Sequence, residues 1–269
     1  MPGDDRDERD ELLALATDLA IRAARLLVDG LGHARVVVDT KSTVTDMVTE
    51  MDRAAEALIV DAINAARPDD AIVAEEGTAV AGGTGVRWVV DPLDGTTNYL
   101  YGLPGFAVSI AVEIDAVAEA AAVADPLHHD LFTAVRGRGA WRNGEPMAVS
   151  SQADLSRALV GTGFSYDPER RARQAAVLAT VLPAVRDIRR GGAASVDLCW
   201  VGAGRLDASY ERGLQPWDYA AGALVAREAG ALTEDLDGNP PSWDFTLAAG
   251  PALFEPLRRL LADAGARDA

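Results

Sequence analysis

The chain has a single cysteine and a single lysine, and it lacks any long uninterrupted apolar run. Cys199 cannot form an internal disulfide, and its apolar helical context, SVDLCWVGAG, predicts a small core residue rather than a nucleophile. No segment approaches the ~18–20 consecutive apolar residues that a membrane-spanning helix needs, so we predict no membrane partner. The other 24 basic residues are arginines, a bias typical of codon usage, which leaves Lys41 unexplained.

The charge balance is strongly acidic, with 42 Asp and Glu against 25 Lys and Arg and a formal net charge of −17. Nucleic-acid backbones are bound by clustered basic residues, so this composition predicts no nucleic-acid partner. It suits a protein that binds metal cations. The first ten residues, MPGDDRDERD, lack the basic start and apolar stretch of a secretion signal, which predicts a cytoplasmic protein with a short frayed tail.

Residues 1–150 combine two helices with a run of strands. Apolar residues at helical spacing predict helices over about 9–29 and 49–66. Short apolar and β-branched runs then predict strands in AIVAEE, RWVVD, AVSIAVEID, AEAAAVADP and DLFTAVR, and Asn143-Gly144 predicts a hairpin. We therefore expect an N-terminal α+β half, in which a helix pair packs on a mostly antiparallel sheet.

Residues 151–269 alternate between strands and helices. The strands are predicted in ALVGTGF, DIRR, LDASYE, ALTED and TLAAG, and the helices over 169–184, 193–203, 217–229 and 251–264. This alternation indicates a C-terminal α/β half with helices covering a sheet. The length suits two domains, 1–150 and 151–269, and they are expected to pack tightly because no flexible linker separates them.

The stretch VVDPLDGTTN, residues 89–98, places two carboxylates at a sharp turn after an apolar strand. Pro92 fixes φ and Gly95 permits the backbone to reverse, so Asp91 and Asp94 can face one point. Residues from Gly95 to Asn98 can begin a helical turn whose free amides suit phosphate. Acidic ligands beside an anion site are compatible when Mg²⁺ lies between them. A plain polar turn remains the alternative.

Other acidic residues favour the metal site, although each has a simpler reading. Glu75 and Glu76 end the strand before RWVVD and would lie beside Asp91 if the two strands are neighbours; otherwise they are solvated charges. Asp218 is in the first turn of a predicted helix, where an acid also stabilises the helix dipole. Asp52 matches a capping box with Thr49, and it could instead orient a threonine hydroxyl towards a water.

These motifs, in this order, resemble the inositol monophosphatase family of Mg²⁺-dependent, lithium-sensitive phosphatases. The resemblance runs from TKSTVTDMVTEMD through AEEG, DPLDGTTN and PWDYAAG to GALVAREAGA, nearly the whole chain. It is nearest to the bacterial inositol-1-monophosphatases of actinobacterial type. The resemblance implies the layered αβαβα sugar-phosphatase fold, and dimers are common among such proteins.

The resemblance also implies metal ligands and catalytic residues. Glu75, Asp91 and the carbonyl of Leu93 would bind one ion, and Asp91, Asp94 and Asp218 a second, with Glu75 helping to hold a weaker third. Mn²⁺ could replace Mg²⁺, and Li⁺ would inhibit. Gly95 and Thr96 would offer amides to the phosphate. Thr96, oriented by Asp52 and assisted by Glu75, would position and deprotonate the attacking water.

The substrate residues that the resemblance implies lie in the second half. Gly192 and Ala194 fall in the substrate loop, Glu211 would contact ring hydroxyls, and Asp94 and Asp218 lie beside them. Lys41 falls in the mobile TKS loop that lies near the metals in this family, and the resemblance places it with the catalytic residues. The chain departs from the family pattern at Ala74, Leu93, Tyr99 and Ser195, which touches substrate preference more than chemistry.

The predicted reaction is direct in-line hydrolysis of a small phosphate monoester, myo-inositol 1-phosphate first, without a covalent intermediate. An aspartyl-phosphate route needs Asp-x-Asp, whereas Asp91 and Asp94 are one residue further apart. Histidinol phosphate, 3′-phosphoadenosine 5′-phosphate and fructose 1,6-bisphosphate remain alternative substrates. DGTTN rather than DGTKN favours inositol phosphate over histidinol phosphate. A non-catalytic regulatory protein that keeps the fold is the alternative from another class.

Overall fold

The computed structural model describes residues 4–31, 38–40 and 47–269, and the side chains of 8–31 and 50–269. The elements of the first half are α1 (Asp4–Gly30), β1 (Val38–Thr40), β2 (Met47–Thr49), α2 (Glu50–Ala66), β3 (Ala71–Ala74), β4 (Ala79–Val80), β5 (Val86–Asp94), α3 (Thr96–Tyr101), β6 (Ala107–Ile114), β7 (Val117–Asp125), β8 (Asp130–Val135), β9 (Gly139–Arg142) and β10 (Glu145–Pro146). Those of the second half are β11 (Leu159–Thr162), α4 (Pro168–Val181), β12 (Asp187–Arg189), α5 (Ala194–Gly202), β13 (Ala208–Glu211), α6 (Pro216–Glu228), β14 (Leu232–Glu234), β15 (Thr246–Ala249) and α7 (Pro251–Asp263). None of the described helices is long and apolar enough to cross a membrane.

An eight-stranded sheet forms the centre of the first half, in the order β10-β9-β8-β7-β6-β5-β3-β4. Every neighbouring pair is antiparallel except β3 and β5, which run parallel. This confirms the predicted mostly antiparallel sheet. The predicted hairpin is also present, since Asn143 and Gly144 both adopt positive φ, as a two-residue turn between β9 and β10 requires.

Helices cover both faces of this sheet. Val90 on β5 and Ile110 on β6 point into a core with α1 and α2. Their neighbours Val89 and Ala111 point the other way, into a core with α5 and α6. Successive side chains on a strand face opposite sides, so a sheet buried on both faces needs nearly continuous apolar strands. The runs in β5, β6 and β7 meet that requirement.

The second sheet, β12-β11-β13-β15-β14, lies on the other side of α5 and α6. Its outer face packs against α4 and α7 through side chains such as Val177 and Leu257. The layers therefore run α1/α2, eight-stranded sheet, α5/α6, five-stranded sheet, α4/α7. This is the predicted αβαβα architecture, and the fold class is confirmed.

The two sheets lie on either side of the predicted boundary near residue 150, yet a shared core crosses it. Val89 and Ala107 from the first half pack with Val196, Cys199 and Leu224 from the second. Cys199 is completely buried, as its apolar context predicted. The division into domains 1–150 and 151–269 stays a prediction.

One expectation for the N-terminus is wrong. The acidic start was expected to fray, but α1 begins at Asp4, several residues before the predicted start at 9. Acidic side chains are favourable in the first turns of a helix because they face the positive end of its dipole.

Candidate active site

The parallel pairing of β3 with β5 brings Glu75 beside Asp91. Ala74 is the register partner of Val90, and the amide of Glu75 donates to the Val90 carbonyl at 3.2 Å. The carboxyl ends of two parallel strands meet at the same edge of a sheet, so the residues that follow each strand lie together. The predicted neighbourhood of these two strands is confirmed.

Asp91 lies near the end of β5, where the chain reverses within five residues. Asp91 Oδ1 accepts the amide of Leu93 at 2.9 Å, and the β5–β6 register shifts between Asp91 and Asp94. Gly95 then adopts φ +89°, and α3 begins at Thr96. A Cβ at Gly95 would lie 2.7 Å from the carbonyl oxygen of Gly105. Position 95 therefore requires glycine for two reasons, its positive φ and this close approach.

Asp94 and Asp218 are fixed by residues from the second half of the chain. Asp94 Oδ2 accepts both the amide of Ser195 at 2.7 Å and its hydroxyl at 2.6 Å. Asp218 is the third residue of α6, and its Oδ2 accepts the amide of Gln215 at 2.7 Å in a capping box. The start of α5 thus holds Asp94 at the end of β5, and the first turn of α6 carries Asp218.

The carboxylates of this site repel one another in a buried setting. Burial raises the pKa of Asp91 and Asp218 well above the usual value, and neighbouring carboxylates raise both further. Burial also raises the pKa of Asp94 to about 6, although the two hydrogen bonds from Ser195 oppose the rise. Hard oxygen ligands with unbalanced negative charge are the donor set that a divalent cation such as Mg²⁺ requires.

Ten of the twelve predicted site residues line one cavity of about 350 Å³. They are Glu75, Asp91, Leu93, Asp94, Gly95, Thr96, Gly192, Ala194, Glu211 and Asp218. Of the other two, Asp52 is completely buried, and with Glu75 and Glu76 it forms an acidic cluster whose oxygens lie within 4.8 Å of one another. Lys41 lies outside the described residues, as does the side chain of Thr49, the predicted capping partner of Asp52.

The Thr96 hydroxyl donates to the carbonyl of Leu93 at 3.1 Å. A hydroxyl has one proton and two lone pairs, so in this arrangement it can still accept a hydrogen bond but does not donate to Asp52. The role of Asp52 in orienting Thr96 therefore stays a prediction.

Glu211, the last residue of β13, also lines the cavity. Burial raises its pKa to about 7, although Arg190 opposes the rise. The carboxylate lies against Gly163, where a Cβ would be 2.1 Å from its oxygens, so the glycine in VGTGF makes room for it. Close to neutral pH this group is partly ionised and can accept hydrogen bonds from hydroxyl groups.

Sequence reasoning missed Ser195 and Asp197, and for Arg189 and Arg190 it left a role facing the substrate and a surface or dimer role equally open. Ser195 was noted only as a departure, yet it holds Asp94. Asp197 is buried and its pKa is well above the usual value, chiefly through burial. Arg190 lines the cavity, whereas Arg189 pairs with Asp187 on the surface at 2.6 Å. Both arginines belong to the sequence RRGGAAS, residues 189–195, which contains the predicted substrate loop. Only the path of the backbone shows that Arg190 lines the cavity and Arg189 does not.

The sequence matches the inositol monophosphatase family over residues 8–266. The inositol-1-monophosphatase of Mycobacterium leprae is 45% identical over 260 residues, which cover 91% of this chain and 89% of the relative. The Nus factor SuhB of Vibrio cholerae is 42% identical over 227 residues, covering 82% and 85%. The crystal structure of extragenic suppressor protein SuhB from Bartonella henselae superposes with a TM-score of 0.89 at 36% identity, covering 93% of this chain and 98% of that one.

These similarities extend through both sheets and through every described element of the cavity. They agree with the resemblance carried by AEEG, DPLDGTTN and PWDYAAG, which is confirmed. The chain therefore belongs to the inositol monophosphatase family and is a phosphoric monoester hydrolase.

Proposed function

We propose that the chain catalyses the Mg²⁺-dependent hydrolysis of myo-inositol 1-phosphate to myo-inositol and phosphate. The observation that carries this proposal is the convergence of Glu75, Asp91, Asp94 and Asp218 at one end of a cavity large enough for a small phosphate ester. The relative from Mycobacterium leprae, which is named inositol-1-monophosphatase, supports the choice of substrate.

The residues present fit divalent cations. Glu75, Asp91 and the Leu93 carbonyl would hold one ion, and Asp91, Asp94 and Asp218 a second, with Glu75 contributing to a third. Mn²⁺ could take the same oxygen ligands, and Li⁺ would inhibit. When bound, the ions would supply charge neutralisation and activation of water for an in-line displacement.

The residues of the turn after β5 position the reacting groups. The Thr96 hydroxyl, held by the Leu93 carbonyl, keeps lone pairs with which to orient the attacking water. The amides of Gly95 and Thr96 would bind a phosphate oxygen, and Glu75 would accept the proton of the water. Asp91, whose Oδ1 accepts the amide of Leu93, would act as a metal ligand rather than a nucleophile, and the hydrolysis would proceed without a covalent intermediate.

The opposite side of the cavity would bind the polyol. Glu211 would accept hydrogen bonds from two ring hydroxyls, because a carboxylate offers acceptors only. Gly192 has φ +102°, and a Cβ there would lie 2.7 Å from Nη1 of Arg190, so the glycine lets this loop pack closely; Ala194 begins α5 beside it. We expect these contacts to suit the hydroxyl groups of inositol better than the imidazole ring of histidinol phosphate.

The assay that tests the proposal measures phosphate release from myo-inositol 1-phosphate with and without Mg²⁺, in the wild type and in Asp94→Asn. We expect activity to need Mg²⁺ and to fall more than about 100-fold in the variant. Asp187→Asn, which changes a surface carboxylate paired with Arg189, is the control and should keep full activity. Normal turnover by Asp94→Asn would contradict the metal assignment.

A substrate panel separates the alternatives within the family. It contains histidinol phosphate, 3′-phosphoadenosine 5′-phosphate and fructose 1,6-bisphosphate, with lithium titrated against the best substrate. We expect the highest kcat/KM for myo-inositol 1-phosphate and inhibition by lithium.

Relatives named Nus factor SuhB favour a second candidate, a regulatory role through binding to another macromolecule. The complete carboxylate set supports catalysis whether or not such a role exists. A regulatory protein that only kept the fold would release no phosphate in the assay above. A homodimer, a cytoplasmic location and the absence of a nucleic-acid partner stay predictions from the sequence.

A further inference from the structure

Residues 190–193 form a loop between β12 and α5, and several of them line the cavity. Because the loop belongs to neither element, its position depends on contacts with other parts of the fold. Where the loop enters α5, the amide and hydroxyl of Ser195 donate to Asp94. Near the other end of the loop, the contact is made by Asn98.

Asn98 is the third residue of α3, and its side chain is buried. Its Nδ2 donates to the carbonyl oxygen of Gly191 in the loop at 2.8 Å and to that of Gly105 at 2.6 Å. An amide group has two N–H donors, so both hold main-chain carbonyls. Asn98 is not among the described residues that line the cavity, and it would therefore act on a substrate only through the loop.

Two glycines allow the backbone to close around the Asn98 amide. A Cβ at Gly192 would lie 2.7 Å from Nδ2 of Asn98, and a Cβ at Gly105 would lie 3.1 Å from the same atom. Both glycines adopt positive φ, +102° and +89°. Side chains at these positions would push the amide away from the carbonyls that it holds.

The helix that carries Asn98 is fixed independently of the loop. Tyr99 is completely buried, and its hydroxyl donates to the carbonyl oxygen of Leu27 on α1 at 2.8 Å. Its ring meets that of Phe106 edge-on, with the centroids 5.1 Å apart. Asn98 therefore extends from an anchored element, and the loop is the part whose position it determines.

We propose that Asn98 is a positioning residue, which sets the spacing between the amides of Gly95 and Thr96 and the loop. The inference rests on the proposed function, in which those amides bind the phosphate and Gly192 and Ala194 contact the polyol. Without the two hydrogen bonds the loop can move, and its contacts with the ring weaken in the ground state and the transition state alike. A loss of such uniform binding raises KM and leaves kcat nearly unchanged.

The test compares myo-inositol 1-phosphate with glycerol 2-phosphate, a monoester that has the same phosphate group but no ring. Both substrates are assayed with Mg²⁺ in the wild type and in Asn98→Leu and Asn98→Asp, which keep the approximate size of the side chain and remove its N–H donors. Asn98→Ser keeps one donor. Asn143→Asp is the matched control, because the Asn143 amide also donates to a main-chain carbonyl, that of His129, in a hairpin outside the cavity.

In Asn98→Leu we expect KM for myo-inositol 1-phosphate to rise about tenfold, the effect of losing hydrogen bonds that position a binding group. Its kcat, and KM for glycerol 2-phosphate, should change less than about twofold. The charge introduced by Asn98→Asp acts on the phosphate that both substrates share, so there the ratio of the two kcat/KM values should fall about tenfold. Asn98→Ser should lose less, and Asn143→Asp should match the wild type.

An equal loss on both substrates would overturn the inference, because it would show that Asn98 supports only the fold or the phosphate-binding turn. An unchanged ratio, or a loss confined to kcat, would overturn it as well, and each of these results leaves the proposed function intact. Unfolded molecules turn over neither substrate, so they do not alter KM or the ratio. If neither variant of matched size folds, the ratio in Asn98→Ser decides in the same way. A wild type that releases no phosphate from myo-inositol 1-phosphate would contradict the proposed function and the inference together.

Discussion

At the scale of single residues, Ser195 shows how a small side chain can organise the site. Its amide and its hydroxyl both donate to Oδ2 of Asp94, and neither bond uses Oδ1. Two donors on one oxygen hold the plane of the carboxylate. Ser195 is completely buried, so water does not replace the hydroxyl if it is removed.

Ser195→Ala removes the hydroxyl and keeps the amide bond. If Asp94 is a metal ligand, the freed carboxylate should bind Mg²⁺ or Mn²⁺ about tenfold more weakly, as is usual when the partner of a ligand is lost. Titration calorimetry on the metal-free protein measures this affinity directly. Ser209→Ala, a buried serine on β13, controls for the general cost of the substitution. Equal affinities in all three proteins would show that Ser195 has only a packing role.

At the scale of elements, α3 depends on a glycine at each end. Gly95 precedes the helix and Gly102 follows it, and both adopt left-handed φ. Only Gly95 is crowded: a Cβ there would be 2.7 Å from the Gly105 carbonyl oxygen, whereas Gly102 has nothing within 4 Å. An alanine at position 102 would therefore cost only the strain of a left-handed φ, whereas an alanine at position 95 would also have to displace the backbone it contacts.

We expect Gly102→Ala to lower the free energy of unfolding by about 1 kcal/mol, the cost of a left-handed alanine. Gly95→Ala should cost about 2 kcal/mol more, because the backbone near Gly105 must shift as well. Urea denaturation measures both. Similar losses at the two positions would mean that the turn after β5 can relax around a methyl group.

At the scale of the whole molecule, the fold gathers acidic groups at the junction of its layers. Carboxylates that follow β3 or end β5, and others from α6 and β13, lie around one cavity. The pKa of Asp94 rises from 3.8 to about 6 and that of Glu211 from 4.5 to about 7, mainly through burial. The metal-free protein therefore carries an electrostatic cost that grows as these groups ionise.

The direction of the pH dependence follows from the raised pKa values. Between the ordinary and the raised values the folded protein binds more protons than the unfolded chain, so its stability falls as pH rises from about 4 to about 7. Without metal, the Tm of Glu211→Gln relative to that of the wild type should rise by roughly 5 °C between pH 4 and pH 7. Differential scanning calorimetry with a chelator measures the gain. A constant difference between the two proteins would contradict the raised pKa of Glu211.

Mg²⁺ should reverse this dependence. It binds the ionised folded form, so it should raise Tm more at pH 7.5 than at pH 5. Asp94→Asn should reduce the increment, and Asp187→Asn should not. The same increment at both pH values would indicate that Mg²⁺ binds elsewhere.

The sequence alone was enough to predict most of the local elements of this protein, its family and most of the residues that line the cavity. Most of the helices and strands, the hairpin at Asn143-Gly144 and the turn from Asp91 to Thr96 follow from apolar spacing, glycine and proline, which act on neighbouring residues; the short strands β1, β2 and β4 were not predicted. The order of the acidic motifs was enough to predict the family and ten residues of the cavity.

Only the tertiary structure decided which distant residues meet. Ser195 donates to Asp94, which lies 101 positions earlier in the sequence. Arg170 lines the cavity and packs against Trp243, whereas its neighbour Arg171 does not line it. The helical start at Asp4 also depended on context. Local patterns specify an element and its buried face, but the partner of a polar side chain depends on how whole layers stack, and the layers stack through apolar contacts far from these groups.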